Sequence, residues 1–152
     1  MKILYDDQLF GKFITGIYRN NVYYIGKNLE RFNINKSEYI YLIKVYNKEG
    51  ICQDEIVNLL KVDKYEVAKG VKSLIEKGYL YKEKDEVDKR KHRLYSTDKA
   101  KEIEEDIRNV LRNMSEILTE GFNKEEKELA LKILKKMDMN IREEVKKIKP
   151  SR

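Results

Sequence analysis

The chain has 152 residues, of which 41% are hydrophobic and 39% charged, and its formal net charge is +6. A single cysteine excludes an internal disulfide and fits a reducing cytoplasm. No apolar run approaches the ~20 residues of a membrane span, and the beginning MKILYDDQLF meets acids too early for a signal peptide. We therefore expect one cytoplasmic domain over 1–152, long enough to bury a core.

Two helices are predicted in the first third of the chain. The first covers Asp6–Phe32, where apolar residues recur with a period close to 3.6. The second begins at Asn35, whose capping-box partner is Glu38, and it runs to Glu49 before Gly50 ends it. The apolar stripe of the first helix consists of Leu9, Phe10, Phe13, Ile14, Ile17, Ile25, Leu29 and Phe32.

Two short helices joined by a tight turn follow. The first is Gln53–Leu60, the turn is Lys61–Asp63, and the second is Lys64–Lys77, with Gly78 as the stop. A turn of about 3–4 residues between two helices is the spacing of a helix-turn-helix.

The second of these helices has two faces of different chemistry. Asp63 is a good N-cap residue, and Glu66 three places later can complete a capping box. A helix with one apolar face and one basic face can lie in a DNA major groove, although each lysine alone is also typical of a solvated surface. The apolar face consists of Val67, Val71, Leu74 and Ile75, and the opposite face of Tyr65, Ala68, Lys69 and Lys72.

A strongly charged β-hairpin is predicted over Tyr79–Thr97. Its tip contains the run KRKHR, residues 89–93, with four cations in five positions. Such a cluster on a folded hairpin fits contact with phosphates. The acids of this segment, such as Asp85 and Glu86, are expected on solvated faces.

Two long amphipathic helices are predicted over 98–147. Thr97 is the N-cap of the first, Gly121 breaks the chain, and Asn123 caps the second with Glu126 as its partner. Together with the first helix of the chain they present three apolar stripes, which a two-fold dimer would bury; a monomeric helical bundle is the alternative. The two C-terminal stripes consist of Ile103, Ile107, Val110, Leu111, Met114, Ile117 and Leu118, and of Ala130, Ile133, Leu134, Met137, Ile141 and Val145.

The segment 53–97 resembles the winged helix-turn-helix core of the MarR family of bacterial transcriptional regulators. The run VDKYEVAKGVKSLIEKGYL is similar to the recognition helix of that family. The wing is the most specific part, because Asp88, Arg90 and Thr97 match the family's Asp, the Arg two places on, and the closing Thr. Ser96 stands where the family usually has Leu.

Other departures lie in the recognition helix. Tyr65 and Ala68 stand where family members often have small hydroxyl residues, and Gly70 stands where an apolar residue is usual. These differences affect the fold little, but the DNA sequence preference of the family cannot be carried over.

The resemblance implies a mainly α (α+β) fold. It has a winged helix-turn-helix DNA-binding lobe over about 36–97 and a helical dimerisation lobe from about 6–32 and 98–147. The first and the two C-terminal helices interlock between subunits in the family. The implied function is that of a homodimeric repressor that binds a pseudo-palindromic operator in double-stranded DNA and needs no cofactor.

The candidate DNA-binding residues lie on the recognition helix and on the wing. Tyr65 and Lys69 are expected at base edges. Arg90 is expected in the minor groove, with Asp88 as the acid that braces it. Phosphate contacts are assigned to Lys64, Lys72, Lys89, Lys91 and Arg93, and Ala68 completes the outer face of the helix.

The resemblance also implies a cleft for a small aromatic effector. Family members often bind such ligands between the dimerisation lobe and the DNA-binding lobe. Aromatic residues at helical spacing are also typical of a core, so both interpretations stay open. The tyrosines that could line the cleft are Tyr18, Tyr23, Tyr24, Tyr39 and Tyr41.

We expect no enzyme. The single His92 and the single Cys52 cannot form a His-rich metal site or a redundant Cys–His pair, and no Gly-rich phosphate loop is present. Cys52 is either a redox-sensitive thiol at a helix start or a small residue there. Two alternatives to an operator-binding regulator stay open: a non-specific architectural DNA-binding protein, and a protein-interaction module on the same fold.

Overall fold

A computed structural model of the protein describes residues 9–148. The chain is mainly α with a small antiparallel sheet, as the sequence predicts. The described residues divide into two compact units, 9–114 and 115–148. The elements are α1 (Phe10–Leu29), a 3₁₀ turn (Glu30–Phe32), α2 (Tyr39–Asn47), β1 (Ile51–Cys52), α3 (Gln53–Leu60), α4 (Lys64–Glu76), β2 (Leu80–Lys84), β3 (His92–Ser96), α5 (Asp98–Leu118) and α6 (Lys124–Ile148).

The first predicted helix is confirmed from Phe10 onward, and residues 6–8 lie outside the described residues. It ends in the 3₁₀ turn, after which Asn33 adopts the left-handed conformation with φ of 55°. The early apolar residues of its stripe are exposed, whereas Ile25 and Leu29 are buried in the core.

Helix α2 is shorter than predicted, although its capping box forms. The Asn35 amide donates to Glu38 Oε2 at 2.9 Å, and the Glu38 amide donates to Asn35 Oδ1 at 3.1 Å. Residues 36–38 form a turn, and the helix begins only at Tyr39. The helix begins later than predicted because the side chains of Asn35 and Glu38 stabilise a separate turn ahead of it.

The predicted helix-turn-helix is confirmed. Lys61 ends α3 in the left-handed conformation, with φ of 55°. Asp63 caps α4 by accepting from the Tyr65 amide at 2.7 Å, and this bond takes the place of the predicted box with Glu66. The Gly78 φ of +78° then lets the chain turn out of α4 into β2.

The wing hairpin belongs to a three-stranded antiparallel sheet in the order β1-β3-β2. The hairpin is confirmed as predicted, but β1 was not predicted because a two-residue strand shows no alternation. β1 pairs Ile51 with Leu94 and Cys52 with Arg93, and it therefore attaches the wing to the chain that precedes α3. Cys52 is also the N-cap residue of α3, and the side chain of Glu55 accepts from its amide at 2.9 Å.

The core lies in the first unit, where α2, α3 and α4 pack together and onto the sheet. Leu42, Ile56, Val71 and Leu94 have no exposed surface, so each of these elements contributes at least one fully enclosed apolar side chain. Most of the burial that stabilises the helix-turn-helix and the sheet therefore comes from their own unit.

The caps predicted for the C-terminal helices are present. Thr97 Oγ1 accepts from the Ala100 amide at 3.2 Å and donates to the carbonyl of Gly78 at 2.7 Å. Asn123 and Glu126 form a reciprocal capping box at the start of α6, with bonds of 2.8 and 2.9 Å.

Glu38 is a buried carboxylate that joins α2 to α4. Its side chain is 1% exposed, and Lys77 Nζ lies 2.9 and 2.8 Å from its two oxygens. The Ser73 hydroxyl donates to the same carboxylate. Burial raises the pKa of Glu38, but the bonds from the Asn35 amide, Lys77 and Ser73 outweigh it and hold the pKa below its ordinary value of 4.5.

Because the folded-state pKa of Glu38 is lowered, its contribution to stability is present above pH 4.5 and is lost as the pH falls through the lower folded-state value. Glu38→Gln should therefore lower the free energy of unfolding by about 2 kcal/mol at pH 7, with a difference that shrinks towards pH 3. Urea unfolding at one fixed protein concentration measures this. Glu102→Gln, at an exposed position of α5, is the control; equal pH profiles for the two variants would contradict the assignment.

Candidate nucleic-acid interface

The outer face of α4 is set by what its inner face buries. Val67, Val71 and Leu74 have no exposed surface. The helical period then directs Tyr65, which is 81% exposed, and Lys69 to the outside. Lys64 and Lys72 are also exposed, whereas Ala68 is half-buried.

The two lysines assigned to phosphates have only weak acidic neighbours. Lys64 Nζ lies 3.6 Å from Asp54, and Lys72 Nζ lies 3.8 Å from Glu76. All four side chains are at least 65% exposed, and exposed pairs of this kind contribute about 0–1 kcal/mol. A phosphate can therefore replace either carboxylate at little cost.

The wing tip carries Arg90 on an ordered loop. Its side chain is 92% exposed, which leaves the guanidinium open to a partner. Asp88 Oδ1 accepts from the Arg90 amide at 3.1 Å and from Arg90 Nε at 3.3 Å. Lys89 and Lys91 on either side of Arg90 are exposed as well.

Arg93 has a structural role that sequence reasoning missed. Its Nε donates to Asp85 Oδ2, and its Nη1 donates to the carbonyl of Gly50 at 2.9 Å. Two of its five N–H directions are therefore engaged within the protein, and a phosphate contact through the rest stays a prediction.

Asp85 was expected on a solvated face, and this was wrong. It is 5% exposed and accepts from the amides of Val87 and Asp88 at 2.9 and 2.8 Å. These amide bonds and the contact with Arg93 outweigh burial and hold the pKa of Asp85 below its ordinary value. An acid two and three residues before turn amides is an Asx-turn signal that could have identified it.

Neither a metal-binding cluster nor a membrane-spanning helix is present among the described residues. Across residues 9–148, no group of three or more His, Cys, Asp or Glu side chains is arranged to hold a metal ion. In the same range no helix combines the length and the apolar character that crossing a bilayer requires.

Comparison with known proteins agrees with this geometry. The sequence model of the family described as "Transcriptional regulator SarA/Rot" matches residues 24–107, more than half of the chain. The chain belongs to the SarA/Rot family of transcriptional regulators. The match includes all of the helix-turn-helix and the wing. It also agrees with the expectation of a non-enzymatic protein, because the relatives are transcriptional regulators.

The relatives also connect this SarA/Rot-family regulator to MarR proteins. It is 30% identical over 109 residues to the uncharacterized HTH-type transcriptional regulator YybA of Bacillus subtilis (strain 168), spanning 72% of this chain and 73% of that protein. A MarR transcriptional regulator from Methanosarcina mazei Go1 has a TM-score of 0.79 at 32% identity, over 86% of this chain and 94% of that one.

A MarR-type protein from Listeria monocytogenes, complexed with 26mer DNA, has a TM-score of 0.86 over 95% of this chain and 99% of that one. It is 24% identical, so the likeness concerns the fold alone. The resemblance to MarR regulators that the residues predict is confirmed by these comparisons.

Two departures of this SarA/Rot-family regulator from the usual MarR pattern have structural explanations. A Cβ on Gly70 would lie 2.2 Å from Tyr41 Cε2, so the ring of Tyr41 occupies the space of the usual apolar side chain. Ser96 is 2% exposed, and its amide and hydroxyl both donate to the carboxylate of Glu49. In both cases a residue from the α2 segment compensates for the change.

The candidate effector tyrosines fall in different environments. Tyr41 is 5% exposed and belongs to the core, whereas Tyr18 and Tyr23 are exposed. Tyr24 and Tyr39 are half-buried against the core. Of the five, Tyr23 lines an open groove of about 410 Å³. A shared cleft for an effector stays a prediction.

The close packing of Tyr41 against Gly70 predicts opposite effects of one substitution in two backgrounds. Gly70→Ala should destabilise the wild-type chain by about 1–3 kcal/mol, because the added methyl overlaps the ring. In a Tyr41→Leu background the same change should be neutral or stabilising by up to about 1 kcal/mol, because alanine favours a helix. Urea unfolding of the four proteins measures the coupling. The same loss in both backgrounds would refute the contact.

Proposed function

We propose that this protein is a sequence-specific DNA-binding repressor that acts as a homodimer on a pseudo-palindromic operator. The observation that carries the proposal is the outer face of α4, with exposed Tyr65 and Lys69, combined in one lobe with an exposed Arg90 held by Asp88. A helix for the major groove and an arginine for the minor groove are the two readers of a winged helix-turn-helix.

In this proposal each exposed side chain has a distinct task. Tyr65 and Lys69 lie four residues apart on α4 and reach adjacent base edges in the major groove. Arg90 enters the minor groove, where a narrow A·T-rich segment attracts the guanidinium. The residues that contact phosphates are Lys64, Lys72, Lys89 and Lys91, with the free side of the Arg93 guanidinium.

The homodimer is supported by exposed apolar side chains in each compact unit. In the first unit, Phe10 and Phe13 of α1 are 70% and 55% exposed. In the second unit, Leu134 and Ile141 of α6 are 55% and 59% exposed. Apolar side chains exposed in this number mark a surface that another chain covers. A two-fold dimer also places two copies of α4 on two half-sites.

Effector control and location complete the proposal. The groove beside Tyr23 is also lined by Val22, Gly26 and Ile34, and its volume is within the usual range of ligand pockets. A small aromatic molecule would find apolar walls and a tyrosine hydroxyl there.

A repressor must reach the chromosome, so a cytoplasmic location belongs to the proposal.

The first test is binding to the DNA upstream of the protein's own gene, by mobility shift with excess non-specific competitor. A discrete shift that resists the competitor is the expected result. A shift that dissolves would favour a non-specific architectural protein. Absence of binding, there and in a genome-wide selection of bound fragments, would favour a protein-interaction module.

Arg90→Ala should weaken operator binding about tenfold, because a minor-groove arginine contributes about 1–3 kcal/mol. The salt slope should also become shallower. Fluorescence anisotropy at several salt concentrations measures both quantities. Arg112→Ala, which removes the same charge from α5, is the control and should retain the wild-type affinity. Equal operator affinities of Arg90→Ala and Arg112→Ala would show that Arg90 does not contribute to DNA binding.

Leu134→Glu should convert the dimer to a monomer, because it places a charge in an apolar contact surface. Size-exclusion chromatography with light scattering measures the mass, and circular dichroism checks that the helices remain. Lys135→Glu at the next, exposed position is the matched control and should stay dimeric. A wild-type protein that elutes as a monomer at micromolar concentration would contradict the homodimer.

A further inference from the structure

Asp85 is the buried acid of the wing loop over 85–91, whose other residues are exposed or half-buried. It follows β2 directly and is 5% exposed, whereas its second neighbour Val87 is 95% exposed. A carboxylate is seldom enclosed at the tip of a charged hairpin unless its oxygens are used. The contacts of both oxygens show what it does.

The first oxygen begins a chain of bonds that ends at Arg90. Asp85 Oδ1 accepts from the amides of Val87 at 2.9 Å and Asp88 at 2.8 Å, which fixes the backbone that carries the Asp88 side chain. Asp88 Oδ1 then accepts from the Arg90 amide and Nε. The Asp85 amide also donates to the carbonyl of Lys91 at 3.0 Å and closes the loop.

The second oxygen fastens this loop to the body of the lobe. Asp85 Oδ2 accepts from Arg93 Nε, and Arg93 Nη1 donates to the Gly50 carbonyl at 2.9 Å. The Gly50 amide in turn donates to the carbonyl of Leu94 at 2.8 Å. The loop is therefore connected through one guanidinium to the chain between α2 and β1.

We propose that Asp85 is a positioning residue for DNA binding: through Asp88 and Arg93 it holds the loop over 85–91 in one conformation and presents Arg90 already oriented. The inference rests on the proposed function. A loop ordered before binding does not lose its conformational freedom in the complex, and this raises affinity without any contact to DNA.

Simple electrostatics and positioning predict opposite changes in DNA affinity when the charge of Asp85 is removed. An acid near a polyanion repels it, so removal of the Asp85 charge should strengthen DNA binding if charge alone mattered. Positioning predicts weaker binding. Asp85→Asn separates the two, because the amide oxygen can still accept from Val87 and Asp88, while its NH₂ group meets Arg93, which is also a donor.

The matched control is Glu86→Gln, which removes one negative charge at the adjacent, exposed position. We expect Asp85→Asn to weaken operator binding about five- to tenfold and Glu86→Gln to leave it unchanged or to strengthen it. The salt slope should stay as in the wild type for both, because no phosphate contact is lost. Operator binding by Asp85→Asn as tight as that by Glu86→Gln would overturn the proposal.

A second variant retains the positive charge and alters only the connection. Arg93→Lys retains the attraction to phosphates but cannot donate to Asp85 and Gly50 at the same time through a planar fork. This variant should weaken operator binding several-fold. Its melting temperature, compared with that of the wild-type protein, checks that it is folded. Wild-type affinity in Arg93→Lys would contradict the role given to this contact.

Amide hydrogen exchange tests the ordering without DNA. The amides of Val87 and Asp88 should exchange at least about tenfold faster in Asp85→Ala than in Glu86→Ala, because only the first change removes their acceptor. Equal exchange would overturn the inference. If the wild-type protein forms no specific DNA complex, the proposed function fails, while this measurement still decides whether Asp85 orders the wing.

Discussion

The winged helix-turn-helix lobe depends on one buried charge, the carboxylate of Glu38. Three donor groups make four hydrogen bonds to it: the Asn35 amide, the Ser73 hydroxyl and the Lys77 ammonium, which contacts both oxygens. A carboxylate buried without these partners would destabilise the fold, so the position of α4 on α2 is closely constrained. Apolar packing between two helices allows small shifts, whereas this set of bonds allows one arrangement.

The segment that contains α2 also holds the wing, at its opposite end. Glu49 accepts from the amide and hydroxyl of Ser96 in β3, and the Gly50 carbonyl accepts from Arg93. Polar contacts at the two ends of one short helix therefore connect the two elements of the proposed DNA interface, α4 through Glu38 and the wing through Glu49 and Gly50. In the proposed function, a fixed distance between these elements suits the regular groove spacing of a double-helical target.

Much of the fold and of the candidate site could be predicted from residues that are close together in the chain. Val67, Val71 and Leu74 recur at the helical period, and their burial leaves Tyr65 and Lys69 outside. Asp88 and Arg90 are two residues apart, so their contact needs no information about the rest of the fold. The contacts that sequence reasoning missed are those between residues far apart in the chain. Arg93 reads as another cation of a basic run until Gly50, 43 positions away, supplies its acceptor.

The sequence by itself determined the helices, the two strands of the wing hairpin, the outer face of α4 and the exposed wing tip, because periodicity and capping act over a few residues. Only the tertiary structure decided which charged residues are structural. Asp85 and Glu86 are adjacent acids of similar chemistry, yet one is enclosed and the other exposed. Likewise Tyr41 became core because Gly70 leaves room for its ring. The burial of a side chain and its hydrogen-bond partners depend on segments that folding brings together. A local sequence pattern does not show which segments those are.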